Sequence, residues 1–250
     1  MDYSHKEIKD YYDKHVVGKL SGFTDSNRRV EAAYDLVKKH IQPDTKSILE
    51  VGCGIGDVSY RFSKHFPSKK IVGIDISEKS IEVAKKLFQN PNLSYYCGDM
   101  GELALKEQFD LIIMIDVYEH IPADIRDEFN TNLSKLLSKN GTLIATFPTP
   151  EHQGFLRAKE PEKLQPIDED ITIDVINSLL KKTNCDIFYY EKKSIWFKHD
   201  YAHLVIKNNF IFDKSPLPIT ALARGLRLIK KFYFFVRSFS RKNYAAKKMR

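Results

Sequence analysis

The sequence predicts an α/β fold in which helices cover both faces of a mostly parallel sheet. Three observations favour it: short apolar runs recur, helical spacing fills the segments between them, and a glycine-rich turn follows the first run. That run, Ser47–Val51, predicts a strand buried on both faces. The spacing of Val58, Phe62 and Phe66 then predicts a helix. Because ligands of such folds bind beyond the carboxyl ends of the strands, we expect the functional site there.

Further apolar runs predict the remaining elements. Runs at 71–75, 93–99, 109–116 and 141–148 predict strands two to five, and runs at 186–190 and 201–206 predict two more. Helices are predicted at 78–89, 123–139 and 171–182, with Ser77 as the N-cap of the first and Asn140-Gly141 ending the second. The roughly 20 residues between the fifth strand and the helix at 171 predict a long loop, and such loops tend to be functional.

Length and composition limit the class of protein. A chain of 250 residues has room for one α/β domain with additions. Its three cysteines are scattered, which predicts neither a disulfide framework nor a zinc site. The sequence shows no signal-peptide pattern and no apolar run long enough to cross a bilayer. We therefore expect a cytoplasmic protein.

The glycine loop carries a resemblance to a known family. Glu50 lies two residues before Gly52, and Gly54 and Gly56 follow at alternate positions. A dinucleotide fingerprint would place its third glycine one residue later. The E-x-G-x-G-x-G pattern resembles motif I of the class I S-adenosylmethionine-dependent methyltransferases, and strand-end acids extend the match over about residues 48–148.

The resemblance implies a fold and a cofactor. The fold is a Rossmann-like, doubly wound, seven-stranded sheet with its last strand antiparallel, flanked by N-terminal helices and a C-terminal amphipathic helix. Asp75 lies 19 residues after Gly56, which suits an acid that accepts hydrogen bonds from ribose hydroxyls. Asp99 matches the family position that contacts the adenine amino group. The implied cofactor is S-adenosyl-L-methionine, with S-adenosyl-L-homocysteine as product, and the predicted binding residues are Glu50, Gly52, Cys53, Gly54, Gly56, Asp75, Ile76, Asp99, Met100, Asp116 and Val117.

The loop after the fourth strand supplies candidate catalytic residues. Asp116, Glu119 and His120 stand in an order that resembles the ubiquinone-pathway and sugar O-methyltransferase branches. His120 titrates near neutral pH and can act as a general base; packing beside the adenine or capping the next helix is an equal alternative. These three residues have the mixed ligand chemistry of a metal site, but no second cluster completes one, so no metal is predicted.

The loop after the fifth strand supplies a second set. Glu151, His152 and Gln153 suit the binding of a hydroxyl-rich acceptor, and Gln165 and Asp168 form a second pair. Alternatively, Asp168 belongs to the acid-rich start of the next helix. The predicted catalytic residues are His120, Glu119 and His152.

Residues 1–40 are predicted to be helical. In related methyltransferases such a segment closes over the cofactor. By this resemblance Tyr11, Tyr12, Arg28 and Arg29 contact the methionine end of the cofactor or the acceptor. The alternative is a solvated helix whose long side chains lie along the surface.

The segment 215–250 differs in charge from the rest of the chain. It holds ten Lys or Arg and no acid, so residues 1–214 hold 30 basic and 33 acidic residues, a net charge of −3. Apolar residues at three- and four-residue steps predict a basic amphipathic helix, typical of a peripheral contact with an anionic membrane surface. The alternative is packing on the body or on a second copy in a homodimer. The mildly acidic body speaks against nucleic acid as a partner.

These observations predict three segments and a function. The segments are an N-terminal helical cap (1–40), a methyltransferase domain (41–214) and a basic amphipathic tail (215–250). The leading hypothesis is O-methylation of a sugar or glycan in surface-polysaccharide assembly at the inner face of the membrane. The alternative acceptor is a quinone-pathway phenol or another lipophilic small molecule. A third hypothesis is a catalytically silent, cofactor-binding partner protein.

Overall fold

In the part of the chain that the structure describes, seven strands form one mixed sheet. The structure is a computed structural model that describes residues 5–25, 27–100, 103 and 105–208. The strands are β1 (Ser47–Val51), β2 (Lys70–Asp75), β3 (Leu93–Cys97), β4 (Phe109–Ile115), β5 (Leu137–Pro148), β6 (Cys185–Lys193) and β7 (Tyr201–Asn208). Their order in the sheet is β3-β2-β1-β4-β5-β7-β6. Only β7 runs antiparallel to its neighbours, which confirms the predicted sheet.

Helices pack on both faces of this sheet. They are α1 (His5–Lys14), α2 (Val16–Asp25), α3 (Arg28–His40), α4 (Asp57–His65), α5 (Glu78–Leu87), α6 (Arg126–Leu136), α7 (Pro150–Lys159) and α8 (Ile173–Thr183). Neighbouring residues of β1 point to opposite faces, as alternation along a strand requires. Ile48 belongs to one buried cluster with Phe62 of α4, and Leu49 belongs to another with Leu133 of α6. The central strand is therefore buried on both sides, as its apolar run predicts.

Two elements differ from the sequence-based prediction. The helix predicted at 123–139 ends at Leu136, because Leu137 already pairs with Phe109 at the start of β5. The segment predicted as a long loop after the fifth strand contains α7. Thr149 caps that helix by accepting a hydrogen bond from the backbone of His152, and Pro150 occupies its first turn, where proline is tolerated. Both cap signals can be read in the sequence.

The N-terminal helices contact the loop that follows β2. The Asp13 carboxylate of α1 accepts hydrogen bonds from Ser77 Oγ at 2.6 Å and from the Lys79 backbone N–H at 3.2 Å. From α2, Lys19 Nζ donates to Ser80 Oγ at 3.3 Å. These contacts fasten α1 and α2 to the first turn of α5.

Two predictions concern membranes and segment boundaries. Within the described residues, no helix has the length and apolarity needed to cross a bilayer. The basic segment 215–250 lies outside the described residues, so its predicted amphipathic helix, membrane contact and role in a homodimer stay predictions. The three segment boundaries likewise stay predictions.

Candidate functional site

A cavity of about 590 Å³ opens at the carboxyl ends of β1, β2 and β4, where the fold predicts the ligand. Helices α1 and α2 form part of its wall. Its volume lies within the range of about 300–1,000 Å³ that is usual for small-molecule sites. Most of the predicted cofactor residues line it: Glu50, Gly52, Cys53, Gly54, Asp75, Ile76, Asp99, Met100, Asp116 and Val117.

The glycine loop reaches this cavity through backbone conformations that other residues adopt rarely. Gly52, Gly54 and Gly56 have φ angles of 70°, 55° and 83°. A Cβ atom on Gly52 would lie 2.4 Å from Val117 Cγ2, so the loop and the end of β4 pack without room for a side chain. Gly56 is not a lining residue; a Cβ there would lie 2.6 Å from the Tyr95 ring. Its role is to let α4 start close to β3.

The Asp75 carboxylate is fixed at the end of β2 by two backbone donors. Gly54 N donates to Asp75 Oδ2 at 2.7 Å, and Ser77 N donates to Asp75 Oδ1 at 2.8 Å. Lys19 Nζ lies 3.9 Å from the same Oδ2 atom. The strand-end acid is thus bonded directly to the glycine loop, with its remaining acceptor capacity at the cavity.

Carboxylates dominate the region around the glycine loop. Burial raises the pKa of Glu50 to about 8, although the Ser59 hydroxyl donates to its carboxylate and opposes the shift. Burial also raises the pKa of Asp57, with Arg61 opposing. Arg61 itself forms a bidentate pair with Glu31 at 2.8 and 2.7 Å. This wall is suited to a cationic ligand, and it offers no unpaired lysine or arginine of the kind that binds phosphate.

The end of β4 is held by an ion pair with α3. Arg29 Nε lies 2.5 Å from Asp116 Oδ2, and Arg29 Nη1 donates to the Tyr201 hydroxyl at 2.8 Å. The Arg29 guanidinium also lies 5.8 Å from the centre of the Trp196 ring, within cation–π range. Asp116 has a φ angle of 53°, a left-handed conformation that is costly for a residue with a side chain. Such strain is common at functional sites.

His120 lies in a short 3₁₀ turn, Tyr118–His120, and lines the cavity. Its Nδ1 lies 2.6 Å from the Ile167 carbonyl oxygen and 3.3 Å from Asp168 Oδ1. A carbonyl oxygen can only accept, so Nδ1 carries the proton and Nε2 keeps a lone pair. Burial lowers the pKa of His120, while the Ile167 carbonyl and Asp168 oppose the shift. A neutral imidazole with an unprotonated Nε2 can accept a proton.

The other two predicted catalytic residues do not line the cavity. Glu119 is 1% exposed, and burial together with nearby Asp116 raises its pKa well above the usual range. Both effects favour the protonated form of this acid. Its Oε1 lies 3.7 Å from His120 Nε2, and its Oε2 has no hydrogen-bond partner among the described residues. His152 lies in the first turn of α7, with its ring centre 6.1 Å from those of Phe197 and Tyr201.

Most of the residues predicted to bind the acceptor from the loop after the fifth strand do not line the cavity either. Glu151 pairs with Lys192 on the surface at 2.5 Å, and Gln153 is buried and donates to Asp168 at 3.3 Å. Of the residues on this side, Gln165 reaches the cavity. The sequence places these side chains near the site, but the formation of α7 decides which way they face.

The site also contains residues that the predicted binding set omits. Asp57 follows Gly56 directly, so its position in the first turn of α4 is readable from the sequence. Lys19 of α2, Glu31 of α3 and Arg61 of α4 also line the cavity. Tyr11, Tyr12 and Arg29, predicted as contacts, are also lining residues. No local pattern indicates that Lys19 approaches Asp75, because 56 positions in the chain separate them.

The described residues include His, Cys, Asp and Glu side chains, the usual protein ligands of a metal ion. Among them, no group of three or more His, Cys, Asp or Glu side chains is arranged to hold a metal ion. Within the same part of the chain, Asp116 pairs with Arg29 and His120 Nδ1 is directed at the Ile167 carbonyl.

The sheet order, the glycine loop and the strand-end acids together define a methyltransferase domain of the class I, S-adenosylmethionine-dependent type. A family model described as "Methyltransferase domain" matches residues 48–141. Residues 48–141, which hold the glycine loop and β2 to β4, therefore form a methyltransferase domain.

Sequence relatives share this domain. A malonyl-[acyl-carrier protein] O-methyltransferase of Bacillus anthracis is 37% identical over 123 residues, which cover 47% of this chain and 45% of that protein. The chain thus spans about half the length of this curated relative. A protein of the same name from Halalkalibacterium halodurans is 25% identical over 224 residues, which cover 82% of this chain and 80% of that protein.

A solved structure shares the fold. The magnesium protoporphyrin IX methyltransferase of Synechocystis PCC 6803, with bound SAH, aligns with a TM-score of 0.57 at 18% sequence identity. The alignment covers 84% of this chain and 90% of that one. At this identity the likeness concerns the fold alone.

Proposed function

We propose that this protein transfers a methyl group from S-adenosylmethionine to a hydroxyl oxygen of a lipophilic small molecule, with His120 as the general base. The observation that carries the proposal is the His120 tautomer: Nδ1 donates to the Ile167 carbonyl, and Nε2 belongs to a residue that lines the cavity. A hydroxyl acceptor needs a base to take its proton, and an imidazole in this state supplies one.

The predicted cofactor residues fit S-adenosylmethionine by their chemistry. Asp75 has acceptor capacity for ribose hydroxyls, and Asp99 lines the cavity where the resemblance puts the adenine. Asp57 provides an acidic group for an ammonium, and the positive charge of a bound ammonium would favour the ionised form of Glu50, which burial disfavours. Gly52 and Gly54 allow close approach of the backbone. We propose these residues, with Cys53, Ile76, Met100, Asp116 and Val117, as the binding set, and Gly56 as a support of the loop.

The proposed reaction is one in-line displacement. Bound S-adenosylmethionine supplies an electrophilic methyl group on sulfur. The acceptor oxygen forms the new bond to carbon while the carbon–sulfur bond breaks with its electron pair on sulfur. His120 Nε2 takes the hydroxyl proton. The walls of the cavity hold the oxygen at near-attack distance, which can contribute several kcal/mol.

Side chains at the cavity favour a lipophilic acceptor over a sugar. Tyr11, Tyr12, Phe23, Ile121 and Phe129 line it, and rings with apolar side chains suit a phenol or another lipophilic body. The sugar hypothesis rested on the basic segment 215–250 and on the polar loop after the fifth strand. In that loop, Glu151, His152 and Gln153 do not line the cavity. The sugar hypothesis stays a prediction and is tested in the same screen. A silent, partner-binding role predicts no turnover with any acceptor.

A second candidate acceptor is a carboxylate, as a malonyl group on acyl-carrier protein would present. Arg29 and Lys19 line the cavity and are the cations that an anionic acceptor would contact, in competition with their partners Asp116 and Asp75. The relatives named malonyl-[acyl-carrier protein] O-methyltransferase point the same way. A carboxylate already has a nucleophilic oxygen and needs no base. The dependence on His120 therefore separates the two candidates.

The test is a screen with labelled S-adenosylmethionine and three probes: catechol, octyl glucoside and malonyl-acyl-carrier protein. We expect methylation of catechol, and a fall in turnover of about 10²–10⁴-fold in His120→Gln with cofactor affinity kept. His65→Gln, an exposed histidine on α4, is the matched control and should be unchanged. Methylation of malonyl-acyl-carrier protein alone, insensitive to His120→Gln, would replace the hydroxyl acceptor by the carboxylate.

A further inference from the structure

The segment between α7 and α8 is folded around one carboxylate, that of Asp168. Asp168 Oδ2 accepts from the Gln165 backbone N–H at 2.7 Å, and Oδ1 accepts from Gln153 Nε2 at 3.3 Å. The same Oδ1 lies 3.3 Å from His120 Nδ1. The Glu169 backbone N–H donates to the Glu119 carbonyl at 2.8 Å, which fastens the segment to the turn that carries His120. Asp168 thus touches its own segment, α7 and the 3₁₀ turn.

We propose that Asp168 is a positioning residue for His120, fixing its ring so that Nδ1 carries the proton and Nε2 is presented to the acceptor. This inference rests on the proposed function, in which His120 is the base. The Asp168 carboxylate and the adjacent Ile167 carbonyl both lie at the Nδ1 side of the ring. Each of these oxygens can only accept a hydrogen bond from Nδ1–H, so both favour the tautomer with the proton on Nδ1.

The charges around His120 give Asp168 a second effect. On the same turn, Glu119 Oε1 lies 3.7 Å from His120 Nε2, and burial raises the pKa of Glu119. From β4, Asp116 is compensated by Arg29 of α3 at 2.5 Å. From α1, the Tyr12 ring lies 6.3 Å from the His120 ring, and burial raises the Tyr12 pKa.

Asp168 differs from these neighbours in the partners of its side chain. Its described donors are neutral amides, those of Gln165 and Gln153. Burial lowers the pKa of His120, and the Asp168 charge works against that change. Without this carboxylate the buried imidazole would be a weaker base. Asp168 thereby helps the buried histidine to take a proton.

A merely structural role for Asp168 makes a different prediction. Asn in its place has almost the same shape, and its carbonyl oxygen can still accept from Gln165 or Gln153. The negative charge is lost, together with one of the two accepting oxygens. If Asp168 acts solely by holding the segment, Asp168→Asn leaves the pKa of His120 where it is. If it acts on the imidazole, the pKa moves down.

The experiment is an NMR titration of the full chain with ¹⁵N-labelled histidine, the His120 signals being identified by their loss in His120→Gln. In the wild type we expect Nδ1 protonated and Nε2 unprotonated above the pKa. In Asp168→Asn we expect the same tautomer, because the Ile167 carbonyl remains, and a pKa lower by about one unit. Asp170→Asn is the matched control: Asp170 pairs with Arg157 at 2.5 Å, so the His120 pKa should not move.

Two outcomes would overturn the proposal. One is an unchanged His120 pKa in Asp168→Asn. The other is a wild-type imidazole protonated on Nε2, which needs no variant and so decides the matter even if Asp168→Asn does not fold. Neither readout uses methyl transfer. Failure of this inference is therefore distinguishable from failure of the proposed function, which the acceptor screen tests.

Discussion

At the scale of single residues, Asp75 combines an orienting contact with a predicted contact to the ligand. Its oxygens accept from Gly54 N and Ser77 N, so the proposed ribose acceptor is bonded to the glycine loop. We expect Asp75→Asn to weaken S-adenosylhomocysteine binding by about 1.5–3 kcal/mol, at least tenfold, because an amide replaces a charged acceptor. Titration calorimetry measures the loss.

The control for this prediction is Asp110→Asn. Asp110 Oδ2 also accepts from two backbone donors, Lys46 N at 2.7 Å and Ser47 N at 3.2 Å, but at the opposite end of the sheet. The affinity of the Asp110→Asn variant for S-adenosylhomocysteine should equal that of the wild type. Equal losses in the two variants would mean that Asp75 matters only for the stability of the fold.

Glu50 makes stability depend on pH. Burial raises its folded pKa to about 8, whereas an unfolded glutamate titrates near 4.3. Between these values the folded state holds a proton that the unfolded state releases, so stability falls as pH rises, by up to about 1.4 kcal/mol per pH unit. Glu50→Gln cannot ionise and should show a flatter dependence. Urea unfolding near pH 6 and near pH 8 compares them; equal slopes would contradict this prediction.

At the scale of elements, the contact between α1 and α5 controls how firmly the cavity wall is held. Asp13 accepts from Ser77 and Lys79, in the same loop as Asp75. We expect Asp13→Ala to speed the dissociation of S-adenosylhomocysteine several-fold and to expose α1 and α2 to trypsin, because two hydrogen bonds of about 1 kcal/mol each are lost. Stopped-flow release and limited digestion measure both effects.

Asp10→Ala is the matched control, since Asp10 is an exposed acid on the same helix. The Asp10→Ala substitution removes the same charge from α1 but leaves the hydrogen bonds between Asp13 and the start of α5 in place. Digestion of α1 at equal rates in both variants would show that Asp13 does not fasten the helix.

Elements and site were predictable from the sequence to different degrees. The strands could be predicted because burial on both faces leaves continuous apolar runs in the sequence. The place of Asp75 and Asp116 at the site could be predicted because the carboxyl ends of parallel strands meet at one edge of the sheet. The α7 helix was missed although Thr149 and Pro150 are start signals. The contact between Arg29 and Tyr201 could not be predicted from the sequence. It joins residues 172 positions apart, which come together through the order of the strands in the sheet.

At the scale of the whole molecule, the basic segment 215–250 is the basis of a proposed membrane contact. We expect the full chain to sediment with vesicles of anionic lipid and to be released as salt rises, since each basic residue near such a surface contributes about 1 kcal/mol. A chain of residues 1–214 should stay in solution and still bind S-adenosylhomocysteine. Neutral phosphatidylcholine vesicles are the control. Equal sedimentation of the two chains would assign any membrane contact to the body.

The sheet order has a consequence for synthesis on the ribosome. In the described sheet β6 is an edge strand whose neighbour is β7, yet β7 is made after it. Stalled nascent chains that end before Tyr201 should therefore be cut by protease within β6, and protection there would contradict this order. The same delay applies to Arg29, which leaves the ribosome early but meets the Tyr201 hydroxyl only at the end. The glycine-loop half of the cavity can thus assemble during translation, while the wall facing the acceptor is completed last.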